Sequence, residues 1–327
     1  MRAVVLRGVG QGLETDDDHV EPVVGDGETL IEVTACGVCG SDLHVVDGDF
    51  PSPMPIILGH EVTGVHERLG PVMVYAPWGC RSCAQCDAGL EQICADATEA
   101  GLFTDGGYAE RMRIPDEGYL TPLDGLDPFA SAPLACGGLT AFRAVGHGLA
   151  TLRGRGAGAR AMVVGAGGLG QYAIRYLRLL TDAEVVAVDP NADKQAVALE
   201  VGAHTAAGPE DELGSADVVL DFVGAGSTLD LAAASVRRRG LVAVVGLFGG
   251  RIPFGLGAVP HEARFMSTFW GSRAQMDELL DLARREPTIV QPVEVLPLAD
   301  AQTAHERLRA GDVRGRIVLD PLAHWPK

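Results

Sequence analysis

The chain has 327 residues, which suits two domains better than one. With 47% hydrophobic and 21% charged residues the composition is globular, but 44 acidic residues against 26 basic ones leave a formal charge of −18. That balance argues against a nucleic-acid partner, whose phosphate backbone an acidic surface repels.

The N-terminus, Met1-Arg2-Ala3-Val4-Val5-Leu6, meets glycine and acidic residues too early for a signal peptide. No apolar run approaches the roughly 20 residues of a membrane span. A cytoplasmic protein with no membrane partner is therefore expected, and its seven cysteines point to metal or catalysis before disulfides.

Up to about residue 136 the chain is rich in Gly, Pro and short β-like runs. Strands are predicted at Thr29 to Thr34, Val62 to His66 and Tyr108 to Ile114, so an irregular β-rich domain is expected. Beyond it, strands alternate with helices. Ala161 to Val164 reads as a buried strand, followed by a helix with Leu169, Tyr172, Ala173, Tyr176, Leu177 and Leu180 on one face. A strand at Glu184 to Asp189, a helix at Asp193 to Val201 and strands at Asp217 to Phe222 and Leu241 to Gly246 continue the series. Such alternation implies a parallel sheet covered on both faces. A helix near Asp300 to Ala310 and a strand at Arg316 to Leu319 close the chain and are expected to rejoin the first domain.

Cys80, Cys83, Cys86 and Cys94 follow C-x2-C-x2-C-x7-C. Four thiolates this close can surround one tetrahedral ion, and zinc suits four soft sulfurs. With every position filled by protein, the site should be structural. An iron–sulfur cluster is the rival, since it also takes four cysteines. The intervening Arg81, Ser82, Gln85, Asp87 and Glu91 are polar, as in an exposed lobe tied around a metal.

Gly165-Ala166-Gly167-Gly168-Leu169-Gly170 is a G-x-G-x-x-G between a strand and an amphipathic helix, whose N-terminus can receive a pyrophosphate. Asp189, at the end of the second strand, should accept the ribose hydroxyls and repel a 2′-phosphate. No basic residue follows it before Lys194, so NAD is preferred over NADP.

Gly37-Val38-Cys39-Gly40-Ser41-Asp42-Leu43-His44, Gly59-His60-Glu61 and the cysteine lobe together resemble the zinc-containing medium-chain alcohol dehydrogenases, and Phe269-Trp270-Gly271-Ser272-Arg273 with the helix after it resembles the bacterial secondary-alcohol dehydrogenases among them. The likeness covers almost the whole chain. It implies an α/β protein with a GroES-like catalytic domain and a doubly wound Rossmann domain. The bounds are 1–137 (with the lobe at 78–96), 138–271 and a return segment at 272–327, with the active site in the cleft between domains.

By that resemblance Cys39, His60 and Cys136 bind a catalytic zinc and leave its fourth position open for substrate. Two zinc ions per chain follow. Ser41 would meet the alcohol oxygen, His44 would pass its proton to solvent, Asp42 would orient His60, and Glu61 would lie behind the metal. Lys194 resembles a ribose contact and Arg316 a pyrophosphate contact. Val245, Leu247 and the segment Thr268 to Trp270 should border the nicotinamide. Phe50, Tyr75, Trp78 and Trp270 are expected to line the substrate pocket.

The expected reaction is hydride transfer between NAD and an apolar secondary or aryl alcohol, giving a ketone or aldehyde. A polyol or sugar dehydrogenase is the alternative within the superfamily, and a dinucleotide-binding protein without turnover the alternative of another class. A homodimer or homotetramer is expected. Cys36 and the histidines His19, His66, His147, His204, His261, His305 and His324 are read as packing residues. The stretch between Glu61 and Cys80 is short, with a strand at Val72 to Tyr75 and a tight turn expected at Gly70-Pro71. The stretch 206–216 is short too, at the cost of one helix.

Overall fold

The computed structural model describes residues 1–323 and 325, so His324 lies outside the described residues. The chain divides into two compact units, Met1–Leu139 with Gly271–Lys327, and Thr140–Trp270.

The first unit is β-rich. Its larger sheet follows the spatial order Leu120–Pro122, Gly70–Val74, Glu61–His66, Thr29–Gly37, Arg316–Asp320, Val293–Pro297. Strand Arg111–Ile114 pairs with the other half of Thr29–Gly37. It shows the period-two rule cleanly: Met112 and Ile114 are buried while Arg111 and Arg113 face out to Glu21 and Glu28. That strand is shorter than expected because Tyr108 pairs elsewhere, its N–H donating to Leu58 and its carbonyl accepting from Val4. The predicted turn at Gly70-Pro71 is displaced. The chain reverses over 67–69, and Gly70 and Pro71 already stand opposite His66 and Val65, a register that keeps Val72, Met73 and Val74 buried.

The second unit is a six-stranded, wholly parallel sheet in the order Thr205–Ala207, Glu184–Val188, Arg160–Val164, Ala216–Asp221, Val236–Val244, Arg264–Ser267. Numbered along the unit this is 3-2-1-4-5-6, the doubly wound arrangement, with its switch point beside strand Arg160–Val164. Met162, Val164, Val186, Val188, Val219 and Val242 build its core. Helix Gly168–Leu180 buries Tyr172, Ala173, Tyr176 and Leu177, the stripe its sequence shows. No helix stands between Thr205–Ala207 and Ala216–Asp221, as the short connection implies.

Of the residues read as packing, Cys36, His66 and His305 are buried. His204 and His261 are exposed, each lying in a connection outside the strands. Among the described residues no helix is long and apolar enough to cross a membrane.

Candidate metal centres and nucleotide site

In the first unit, antiparallel pairing sets Gly37 opposite Glu61. Cys39, two residues past one strand, therefore meets His60, one residue before the other. Gly59 makes the approach possible: its φ is 96°, and a Cβ there would lie 2.5 Å from the Tyr108 ring and 2.6 Å from Cys36 Sγ. Cys136 follows the short 3-10 turn Ala132–Ala135. One ligand atom from each of Cys39, His60, Glu61 and Cys136 lies within 4.8 Å of the others, and all four residues are buried.

The final strand pairs with the far side of Thr29–Gly37 and delivers Arg316. Its Nη2 lies 2.5 Å from Glu61 Oε2 and 3.0 Å from the Val38 carbonyl, while the Gly137 N–H donates to Glu61 Oε1 at 3.0 Å. Burial pushes the Glu61 carboxyl up to about 8, against the pull of Arg316 toward the anion. Cys39 is held well below the usual thiol value, chiefly by a hydrogen bond from the Cys136 thiol and then by the charge of His60.

Asp42 is fully buried and organises the cluster. Its Oδ2 accepts the Cys39 N–H at 2.8 Å and the Tyr108 hydroxyl at 3.0 Å, and its Oδ1 lies 3.2 Å from His60 Nδ1. The Tyr108 hydroxyl is also 3.1 Å from His305 Nε2. A buried polar chain thus runs His60–Asp42–Tyr108–His305. Sequence reasoning missed its last two members. Tyr108 is 66 residues from Asp42 and His305 is 197 from Tyr108, so no local pattern carries the signal.

Ser41 Oγ is 3.9 Å from Cys39 Sγ. His44, three residues along helix Gly40–Asp47, is on the same side of that helix. Its side chain is 18% exposed and its Nδ1 is 2.6 Å from Asp49 Oδ2. The Phe50 ring is centred 6.0 Å from the His44 ring.

Two expected pocket residues are placed otherwise. Tyr75 has no exposed surface, donates to the Gly271 carbonyl at 2.7 Å and stacks on Tyr119, so it is packing and not a pocket wall. Trp78 donates to the Tyr75 carbonyl and lines a cavity of about 360 Å³ with Cys80, Arg81 and Tyr119, to which none of the buried cluster contributes. Trp270 is 5% exposed at φ 50°.

The four-cysteine lobe is closed at its base by the antiparallel pairing of Pro77–Trp78 with Thr98–Glu99. Its four sulfurs lie within 4.8 Å of one another, and Cys83 Sγ is 3.7 Å from Cys94 Sγ. Four thiolates at about 2.3 Å from a tetrahedral zinc would be about 3.8 Å apart. The Cys80 N–H points at Cys94 Sγ at 3.4 Å, as suits a thiolate. Both donor sets fit zinc, the lobe with four sulfurs and the buried cluster with sulfur, nitrogen and one carboxylate.

In the second unit the Gly165–Gly170 loop leaves the central strand and enters helix Gly168–Leu180. A Cβ on Gly170 would lie 1.9 Å from the Gly165 carbonyl oxygen, so the helix sits against the loop only because glycine is there. Asp189 follows strand Glu184–Val188 directly. Its Oδ2 accepts the Ala166 N–H and its Oδ1 the Asn191 N–H, each at 2.9 Å, which ties the acid to the loop. Lys194 is half-buried on the next helix, Ala192–Glu200. Val245 is buried and Leu247 is 49% exposed, both just past strand Val236–Val244. Asp221, unmarked in the sequence reading, is buried. It braces the neighbouring loop through the Val223 and Gly224 N–H groups and the Thr228 hydroxyl.

A doubly wound sheet with a glycine-rich loop and an acid at the adjacent strand end defines a dinucleotide-binding unit. The other unit carries two donor sets that include thiols. Residues 25–124 match the family model described as Alcohol dehydrogenase GroES-like domain, and residues 168–285 match Zinc-binding dehydrogenase. The chain is 31% identical to an alcohol dehydrogenase of Geobacillus stearothermophilus, covering 98% of each protein. It is 30% identical to an NAD-dependent alcohol dehydrogenase of Sulfolobus acidocaldarius, covering 98% of this chain and 99% of that one. It is 28% identical to a D-arabinose 1-dehydrogenase (NADP(+)) of Saccharolobus solfataricus, covering 98% and 97%.

Among solved structures, the alcohol dehydrogenase of Aeropyrum pernix superposes with a TM-score of 0.89 at 29% identity, covering 98% of this chain and all of that one. The acetophenone reductase of Geotrichum candidum, in complex with NAD, gives 0.84 at 27% identity, covering 98% and 96%. The chain belongs to the zinc-containing medium-chain alcohol dehydrogenase family.

Proposed function

We propose that this chain is an NAD- and zinc-dependent alcohol dehydrogenase that interconverts a secondary or aryl alcohol with its ketone or aldehyde. The observation that carries the reading is the buried convergence of Cys39, His60, Glu61 and Cys136. Zinc, when bound, acidifies the alcohol hydroxyl, and NAD accepts the hydride. Cys39, His60 and Cys136 hold the catalytic ion, and Cys80, Cys83, Cys86 and Cys94 hold the structural one. Asp42 fixes the orientation of the His60 ring. Arg316 keeps Glu61 behind the ligand set and is retained as a pyrophosphate contact. Ser41 Oγ takes the alcohol's proton, and the imidazole of His44, partly open to water, releases it.

Gly165, Gly167, Gly168, Leu169 and Gly170 receive the pyrophosphate at the helix N-terminus. Asp189 and Lys194 bind the adenosine ribose, with NAD favoured over NADP, and Val245 and Leu247 border the nicotinamide. Phe50 and Trp270 form the apolar wall for substrate. None of the seven cysteines is joined in a disulfide, which suits a reducing, cytoplasmic compartment. A homodimer or homotetramer is supported by the open edge of strand Arg264–Ser267 and by exposed Phe248, Phe254 and Leu256 in the segment before it.

An alcohol panel with NAD tests the reading. A 1-arylethanol or medium-chain 2-alkanol should exceed ethanol in kcat/KM by at least about tenfold, a difference of about 1.4 kcal/mol. Trp270→Ala should shrink that preference. The similarity to a D-arabinose dehydrogenase favours the sugar alternative, and a panel led by glucose or sorbitol would establish it instead.

A further inference from the structure

The second unit carries a cationic cavity that oxidoreduction at the Gly165–Gly170 loop does not use. Strand Val236–Val244 is not continuous in its pairing. Val236 stands opposite Ala216 and Leu241 opposite Val218, so four residues, Arg237 to Gly240, face the single Asp217. The extra residues bulge out at the starting end of the strand, whereas the glycine-rich loop follows the finishing end of the parallel strand Arg160–Val164, two places away across Ala216–Asp221. Bulges of this kind re-aim side chains, and here three successive arginines are displayed. Arg239 takes a left-handed backbone (φ 62°), as does Glu262 beside it (φ 59°), a costly conformation for non-glycine residues.

The bulge opens on a cavity of about 920 Å³ lined by Arg155, Arg237, Arg238, Arg239 and Arg264, with Glu262 its one carboxylate. Beneath it the fully buried Asp217 pairs with Arg155 at 2.6 Å and Arg237 at 2.7 Å. Arg239 reaches Glu262 only at 3.6 Å, with both side chains about four-fifths exposed. Arg238 and Arg264 have no carboxylate partner within 4.0 Å among the described residues, and Arg264 donates instead to Thr151 Oγ1 at 2.6 Å. Five guanidinium groups thus face two carboxylates, in a chain whose net charge is −18. A protein with so many acidic groups available could pair these arginines internally and leaves two of them unpaired.

Guanidinium groups bind phosphate oxygens bidentately, and several around one cavity match several linked phosphates. A long nucleic-acid backbone would run out over the acidic surface, so the ligand should be compact. We propose that this cavity binds a compact polyphosphate anion of two or three linked phosphates, either inorganic or the phosphate tail of a nucleotide, at a site separate from the dinucleotide loop. Asp217 holds Arg155 and Arg237 in place, and Arg238 and Arg264 supply the unneutralised charge.

The test is calorimetric titration of the zinc-loaded protein, saturated with NADH, with sodium tripolyphosphate, ATP and sodium sulfate at matched ionic strength. Tripolyphosphate should bind once per chain with a Kd below about 0.1 mM, at least about tenfold tighter than sulfate. Comparable binding of ATP assigns the nucleotide source, and tripolyphosphate binding without ATP the inorganic one. Arg238→Ala with Arg264→Ala should weaken binding at least about tenfold while leaving NADH affinity and Tm unchanged. Absence of binding at about 1 mM, equal affinity for sulfate, binding that the double variant retains, or displacement of the anion by NADH would each overturn the proposal.

Discussion

The two cysteine-rich sites use similar donors but assemble them differently. The lobe gathers four sulfurs from fifteen residues of chain, Cys80 to Cys94, with three of the four cysteines only partly buried. The buried cluster draws its donors from Cys39 to Cys136: strand pairing brings Cys39 to His60 and Glu61, and Cys136 joins them from the end of the 3-10 turn Ala132–Ala135. A lobe with few apolar contacts of its own depends on its metal for order. The buried cluster sits in a sheet that hydrogen bonds and packing already hold. Metal at the first site should therefore govern stability, and metal at the second should govern chemistry.

The largest effects test that division directly. Purified protein should contain two zinc ions per chain, and each single-site variant one. Cys136→Ser should lower kcat/KM by at least about 10³-fold, or about 4 kcal/mol, with Tm within about 2 °C of the parent. Cys83→Ser should instead cost at least about 3 kcal/mol of stability, seen as a Tm lower by roughly 6–12 °C. If both variants lose activity at the parent Tm, the contrast between the sites is wrong.

A smaller effect should come from the polar chain behind the cluster. Tyr108→Phe leaves Asp42 without one donor, and should loosen the buried ion about tenfold in competition with a chelator while the lobe ion is unaffected. Cobalt substitution gives a second readout, since a shifted visible spectrum reports the ligand geometry. An unchanged spectrum with unchanged retention would reduce Tyr108 to packing.

His44→Gln acts on the proton and not on the metal. Alcohol oxidation should slow about tenfold, most at low pH, with NAD affinity retained. A pH–rate profile superimposable on that of the parent excludes the relay role.

The smallest effect concerns His305, which burial holds below its ordinary imidazole value. Such a group stabilises fully above the unfolded value near 6.5. Its contribution is lost as pH falls from there toward the folded value, because the unfolded chain takes up the proton first. The fall in Tm between pH 7 and pH 5.5 should be shallower by about 2 °C in His305→Gln, whose amide keeps a donor for the Tyr108 hydroxyl. An identical fall in both proteins would show that His305 is not among the groups that set acid stability.

Sequence alone determined whatever is local. The x2, x2 and x7 spacings of the lobe and the Gly165–Gly170 loop with Asp189 at the next strand end are short-range patterns whose chemistry follows from residue type and separation. Cys39, His60 and Cys136 were legible by resemblance, since nothing in their spacing says that they meet. Tertiary structure alone decided the rest. Register between Gly37 and Glu61, and between the final strand and Thr29–Gly37, puts Arg316 on Glu61. Burial turned Tyr75 into packing, and the closure of the lobe gave Trp78 a cavity of its own. The chain Asp42–Tyr108–His305 and the arginine bulge opposite Asp217 arise from pairings that no window of sequence contains. The physical reason is common to all of them: hydrogen-bond partners and buried charges are chosen by which strands lie side by side, and strand order is a property of the whole unit.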